Sequence, residues 1–181
     1  VNFIPSDLPG VILIEPVVHR DQRGFFVESY SAGAFAKGGI ATTFVQDNHS
    51  LSTAKGVLRG MHFQLPPHAQ SKVIRATRGA IYDVVVDVRR ASPTFGRWQG
   101  FELSADNFRM LFVPAGFAHG FCTLAENTEV QYKVDRLYAP EVDGGIRWND
   151  PDIAIAWPIS KPLLSAKDSA LPFLKEFDSP F

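Results

Sequence analysis

Met110-Leu111-Phe112-Val113-Pro114-Ala115-Gly116-Phe117-Ala118-His119-Gly120 is the stretch on which the reading of the fold turns. Four apolar residues make a short strand, Pro114 and Gly116 supply the fixed and the permissive backbone of a turn, and His119 is delivered on its far side. Outward from there, short β-branched and aromatic runs occupy residues 11–18, 25–30, 57–64, 72–77, 80–88 and 128–138, separated by glycine and proline. Their spacing is that of an antiparallel sandwich or barrel. Helical candidates are confined to 32–37, a turn or two, and 168–174, which contains Pro172. The expected class is mainly β with a few short helices.

The chain has 181 residues, a comfortable length for one domain and a cramped one for two. Its 14 glycines and 13 prolines are spread rather than pooled, so residues 1–181 are expected to form one domain without linker or repeat. Eighteen Lys+Arg against 19 Asp+Glu leave a net charge of -1, which argues against a nucleic-acid partner, and 45% hydrophobic residues exclude the disordered class. The longest uncharged stretch, 110–125, is broken by Pro114, Gly116 and Gly120 and is shorter than the roughly 20 apolar residues of a membrane helix. No membrane partner is therefore expected. Asp7 and Glu15 around the first apolar run do not read as a signal peptide, and Cys122, the single cysteine, suits a reducing, cytoplasmic setting.

Alternation along 80–88 puts Tyr82, Val84, Val86 and Val88 on one face and Ile81, Asp83, Val85 and Asp87 on the other. Asp87, near the strand end, is expected to pair with Arg89 or Arg90 at the rim. Asp83, in mid-strand, points to a polar interior. Along 128–138, Tyr132 and Tyr138 share a face. Lys72 alternates with Ile74 and Ala76, so a cation stands on an otherwise apolar face and calls for a partner or a function, unless it snorkels from an edge.

The turn at 114–120 resembles the second motif of the cupins, small β-barrels that often bind a metal. In metal-binding cupins its histidine joins two more histidines and a glutamate from an earlier strand, a set of N and O donors suited to a transition metal. The earlier segment here reads Gly60-Met61-His62-Phe63-Gln64, with one histidine, a neutral glutamine and no glutamate. No bound metal is expected.

Longer strings are more specific. Arg20-Asp21-Gln22-Arg23-Gly24-Phe25-Phe26-Val27-Glu28, then Gln46-Asp47-Asn48-His49-Ser50, then Gly56-Val57-Leu58-Arg59-Gly60-Met61-His62-Phe63-Gln64 resemble, in this order, the dTDP-4-dehydrorhamnose 3,5-epimerase family. The likeness continues through Ala69-Gln70-Ser71-Lys72, Asp83-Val84-Val85-Val86-Asp87, Ser92-Pro93-Thr94-Phe95-Gly96, Tyr132-Lys133, Tyr138-Ala139-Pro140 and Leu164-Ser165-Ala166-Lys167-Asp168, which is most of the chain. The resemblance implies a cupin-type jelly roll without a metal, a homodimer, and a thymidine-diphosphate 4-keto-6-deoxy sugar inverted at the two carbons flanking its ketone, or at one of them.

Hydrogens beside a ketone are acidic because the carbanion delocalises into an enolate, so the reaction needs a base, an enolate stabiliser and an acid but no redox cofactor. The resemblance makes His62 the base, Lys72 the stabiliser beside the keto oxygen and Tyr132 the proton donor on the opposite face of the ring. It makes Asp168 the partner of the histidine, a role for which Asp83 stays open; taken alone, Asp168 reads as a helix cap. It implies substrate contacts at Arg23, Phe26, Glu28, Gln46, Asn48, Arg59, Lys72, His119 and Lys167, with Tyr138 stacking on thymine. Where the resemblance leads to glutamate, this chain has Asp143, whose shorter side chain suits a water-bridged contact. Strict alternation sets Arg59 and His62 on opposite faces, so either Gly60 marks a bulge or Arg59 serves another part of the site. The N-terminal strands bearing Arg23 are expected to complete the site of a dimer partner. Two competing classes are a metal-dependent cupin oxygenase and a non-catalytic sugar-nucleotide-binding barrel.

Overall fold

The computed structural model describes residues 1–181. Eight strands make the barrel: β5 (Gln46–Ser52), β6 (Leu58–Gln64), β7 (Lys72–Arg78), β8 (Ala80–Asp87), β9 (Trp98–Ser104), β10 (Met110–Val113), β11 (Phe117–Thr123) and β12 (Thr128–Val134). They pair as a nested hairpin, β8 with β9 innermost, then β7 with β10, β6 with β11 and β5 with β12, all antiparallel. Rolled up, this hairpin gives two facing sheets, one containing β10-β7-β12-β5 and the other β6-β11-β8-β9. That is a jelly roll.

The N-terminal strands β1 (Asn2–Pro5) and β2 (Ile12–Glu15) extend the first sheet beyond β10, and β13 (Asp143–Gly145) extends the second beyond β6. Between them, β3 (Val18–Asp21) and β4 (Gly24–Val27) form a separate hairpin, followed by helix α1 (Ala32–Lys37). The apolar run at 11–18 thus divides at Pro16, which has no N–H for a ladder. The run at 128–138 is a strand only to Val134. No helix is long and apolar enough to cross a membrane.

Inside the barrel, Ile74, Ala76, Ile81, Val85, Phe117, Phe121 and Val130 form one core cluster. A second cluster, with Val84, Val86, Val88, Ala118, Met61 and Phe63, covers the outer face of the second sheet beneath the C-terminal segment that brings Trp157, Phe177 and Phe181. Strand β11 is therefore buried along its whole length, Phe117, His119 and Phe121 inward and Ala118 outward. At roughly 1.5–3 kcal/mol for each large apolar side chain buried, these two layers outweigh the modest strand propensity of Phe117-Ala118-His119-Gly120. The expected helix at 168–174 lies earlier: α2 is Ala166–Ser169, Ser165 Oγ caps it by accepting from the Asp168 N–H at 3.0 Å, and Pro172 stands beyond its end.

Candidate active site

His62 projects inward from β6 while Lys72 and Tyr132 project inward from β7 and β12 of the facing sheet. The same three side chains line both lobes of one interior cavity, of about 470 and 330 Å3. Such volumes suit a small organic ligand. The larger lobe is walled by Arg59, His119, Phe121, Leu163, Lys167 and Asp168, the smaller by Gln46, Asn48, Gln70, Tyr138 and Asp143.

Gly60 brings Arg59 into this set. Opposite β11, His119 pairs with His62 and Phe121 with Arg59, so β6 carries one extra residue, a bulge that resets the face. Its φ of +134° and the backbone of Gly120, which an added Cβ would meet at 2.5 Å, restrict the position to glycine. Arg59 is then held by Ser52 Oγ and the Leu51 carbonyl, each at 3.2 Å.

His62 Nε2 lies 2.6 Å from Asp168 Oδ1, and the Gly60 N–H approaches the other oxygen at 3.5 Å. This decides between the two carboxylates left open by the sequence, because Asp83 is engaged elsewhere: both its oxygens, at 3.0 and 2.9 Å, face Nε2 of His119. Burial pushes the Asp168 carboxyl up, but His62, Gly60 and Ser165 outweigh it and hold it below the usual carboxylate range. Burial pulls the Lys72 ammonium down to about 8, against the nearby Asp143 and Asp83. Tyr132 is pushed up chiefly by burial, with Asp143 and Tyr138 adding and Arg59 opposing, so its phenol keeps its proton at neutral pH.

At the mouth, Asp143 contacts its neighbours directly: it accepts from the Tyr138 hydroxyl at 2.9 Å and from Lys167 Nζ. Those hydrogen bonds raise both Tyr138 and Lys167. Gln46 accepts from the Tyr138 N–H at 3.2 Å and donates to Asn48 at 2.9 Å. Tyr138 itself lies beyond the end of β12, so it reaches the cavity from a loop and not through strand alternation with Tyr132. Gln64, where a metal-binding cupin places a ligand, is spent on backbone: it accepts from the Ala139 N–H at 2.9 Å and donates to the His68 and Leu137 carbonyls. No three His, Cys, Asp or Glu side chains converge on a point, so the donor set does not fit a cupin metal.

Arg23, Phe26 and Glu28 are not brought to this cavity by their own chain. Arg23 is 84% exposed and bonded to Asp21, Phe26 is 68% exposed, and Glu28 is exposed just after β4. Sequence reasoning missed Ser165, Gln70 and the apolar Phe121, Leu163 and Leu164 as lining; only the i, i+3 relation of Ser165 to Asp168 offered a signal, as a capping pattern.

The sequence profile of the dTDP-4-dehydrorhamnose 3,5-epimerase family matches residues 5–176. The chain belongs to this family. It is 55% identical over 163 residues to the dTDP-4-dehydrorhamnose 3,5-epimerase of Pseudomonas aeruginosa, covering 89% of each chain. Among solved structures it is similar to the Bacillus anthracis dTDP-4-dehydrorhamnose 3,5-epimerase with TDP and pyrophosphate bound, at 50% identity and a TM-score of 0.93 over 95% of this chain and 98% of that one. The Legionella pneumophila enzyme in complex with dTDP-4-keto-L-rhamnose gives 42% identity and a TM-score of 0.93, over 98% and 94%. The jelly roll and the isomerase class expected from the motifs are those of the family.

Proposed function

We propose that His62, Lys72 and Tyr132 carry the two proton transfers of this family's reaction, the inversion of carbons 3 and 5 of dTDP-4-keto-6-deoxy-D-glucose to give dTDP-4-keto-L-rhamnose. The observation that carries the assignment is the placing of His62 on one sheet and of Lys72 and Tyr132 on the other, around one cavity, with Asp168 at 2.6 Å from the histidine. A sugar ring between the sheets would meet the base on one side and the phenol on the other.

Each inversion proceeds in two steps. Neutral His62 takes the proton from the carbon beside the ketone, becoming an imidazolium that Asp168 stabilises, and the C–H electron pair moves into an enolate whose oxygen is met by the Lys72 ammonium. Tyr132 then delivers its proton to the opposite face of the carbon. Solvent restores both groups, so the electrons balance without an oxidant or reductant. Arg59 and Lys167 supply cations for the diphosphate, with Gln46, Asn48 and His119 as further contacts and Tyr138 as the surface for thymine. The product sits in the route to dTDP-L-rhamnose, a precursor of cell-surface polysaccharide, which fits a cytoplasmic enzyme.

NMR of the 4-keto sugar nucleotide in heavy water tests this reading: wild-type protein should exchange and invert at both carbons. Tyr132→Phe should lose inversion more than exchange, since the enolate still forms and is reprotonated from the His62 side. Equal loss of both would remove Tyr132 from the donor role.

The exposed β3–β4 hairpin supports a second part of the reading, a homodimer in which Arg23, Phe26 and Glu28 complete the partner's site. His62→Asn and Arg23→Ala homodimers should each be weak. A mixed dimer gathers both lesions in one site and leaves the other intact, so with random exchange about one quarter of all sites regain wild-type composition. No recovery in a preparation shown to contain mixed dimers would mean that Arg23 serves its own chain or only stabilises the fold.

A further inference from the structure

Asp83 is the one inward-facing carboxylate in the middle of the barrel core. It stands on β8 between Ile81 and Val85, none of the three with measurable exposure, and it lines neither lobe of the cavity. An apolar residue would pack there at no electrostatic cost, whereas burying a carboxylate costs several kcal/mol unless its partners are well placed. Its partners are specific. Both oxygens face His119 Nε2, and the other charge acting on it is Lys72, from β7 of the facing sheet. His119 and Lys72 both line the cavity.

We propose that Asp83 is a positioning residue for the epimerisation: from behind the cavity wall it holds His119 with its Nε2 proton turned away from the substrate, and it gives the Lys72 ammonium a counter-charge inside the barrel. The proposal rests on the reading of Lys72 as the enolate stabiliser. Donation of Nε2–H to Asp83 leaves Nδ1 of His119 as the nitrogen able to accept from a sugar hydroxyl. The second effect matters because only the ammonium, not the neutral amine, stabilises an enolate. The titratable and charged groups that share the cavity with Lys72 are Tyr132 from β12, His62 and Arg59 from β6, His119 from β11, Asp143 from β13, Tyr138 from the loop after β12, and Lys167 and Asp168 from α2, with Asp83 of β8 behind the wall. Of these, Asp143 and Asp83 hold the ammonium against its burial. Asp143 sits at the mouth bonded to Lys167, so Asp83 is the carboxylate that serves Lys72 from the interior.

The test is the pH dependence of kcat/KM in Asp83→Asn, which keeps the shape and removes the charge. The alkaline limb should move to lower pH by about one unit, the size expected when a neighbouring opposite charge is lost, with activity retained best on the acid side of that limb. A variant that loses activity by the same factor at every pH, with its alkaline limb unmoved, would overturn the proposal. A measurement on the wild-type enzyme needs no variant to fold: nitrogen-15 NMR of His119 should show a proton on Nε2. A neutral ring protonated at Nδ1 alone would equally overturn it. Failure of the underlying reading would look different, since Lys72→Met would then keep wild-type heavy-water exchange while the His119 tautomer stayed as described.

Discussion

His62 reaches Asp168 across 106 residues of chain, from a strand to a C-terminal helix, whereas His119 reaches Asp83 on the neighbouring strand of its own sheet. Both histidines line the cavity and both meet a carboxylate at hydrogen-bond distance, yet the surroundings of the two pairs differ. The His62 side chain is 30% exposed and Asp168 is held low by several donors; His119 is 9% exposed and Asp83, walled in by apolar side chains, is pushed up by burial. A base must take a proton from substrate and return it to solvent, which requires access and a partner that stays ionised. The deeper pair lacks that access, and that suits it to holding groups in place.

The comparison breaks first on His62→Asn. That variant should lose kcat by about a thousandfold, the middle of the range for one general base, together with heavy-water exchange at both carbons. Near-normal exchange in it would move the base elsewhere. Asp168→Asn should lower kcat by about a hundredfold while leaving KM within a few fold, because the histidine survives without its orienting anion. Since folding lowers the Asp168 pKa, its contribution to stability is full above the unfolded value and is lost as pH falls through the folded one; acid titration of the variant should lack that component.

A third buried carboxylate sharpens the contrast, because its partners are an arginine and two hydroxyls. Asp87 accepts from Arg89, Ser92 and Thr94 and, although burial alone would raise it, lies at about 2. From its reference value of 3.8, linkage makes this worth about 2 kcal/mol at neutral pH, a contribution lost below about pH 4 as the solution passes through the folded value. Asp87→Asn should cost that much by denaturant unfolding with kcat unchanged. The smallest effect belongs to His119→Asn, about tenfold and mostly in KM, since it removes a substrate contact and no proton transfer. A large kcat effect there would erase the distinction between the two pairs.

Much of this was legible in the chain. The apolar alternation of 80–88 put Asp83 inside, Lys72 stood out against Ile74 and Ala76, and the ordered motifs from Gln46 to Asp168 contain most of the polar side chains that line the cavity. What stayed hidden had physical causes. Gln46–Ser52 is too polar to read as a strand and becomes one because β12 offers it a seven-residue ladder. Phe117–Thr123 reads as the tail of a turn, since its glycine and small residues carry little propensity, and it is fixed as a strand by burial on both faces. Residues 168–174 suggested a helix, but the cap at Ser165 and the missing N–H of Pro172 move it forward by two residues and turn the Asp168 side chain toward His62.

Local chemistry decided what the sequence could decide by itself: the β class, the kinds of side chain available for base, acid and cation, and the family to which their order belongs. Which carboxylate serves which histidine, how a bulge at Gly60 turns Arg59 to the side of His62, and how Asp143 ties Tyr138 to Lys167 were decided only by tertiary structure. The reason is physical. A residue's type and its face on a strand are set within a few bonds, whereas a hydrogen bond between groups a hundred residues apart depends on how two sheets and a returning C-terminal segment pack, and that packing is the sum of many contacts none of which is written at either residue.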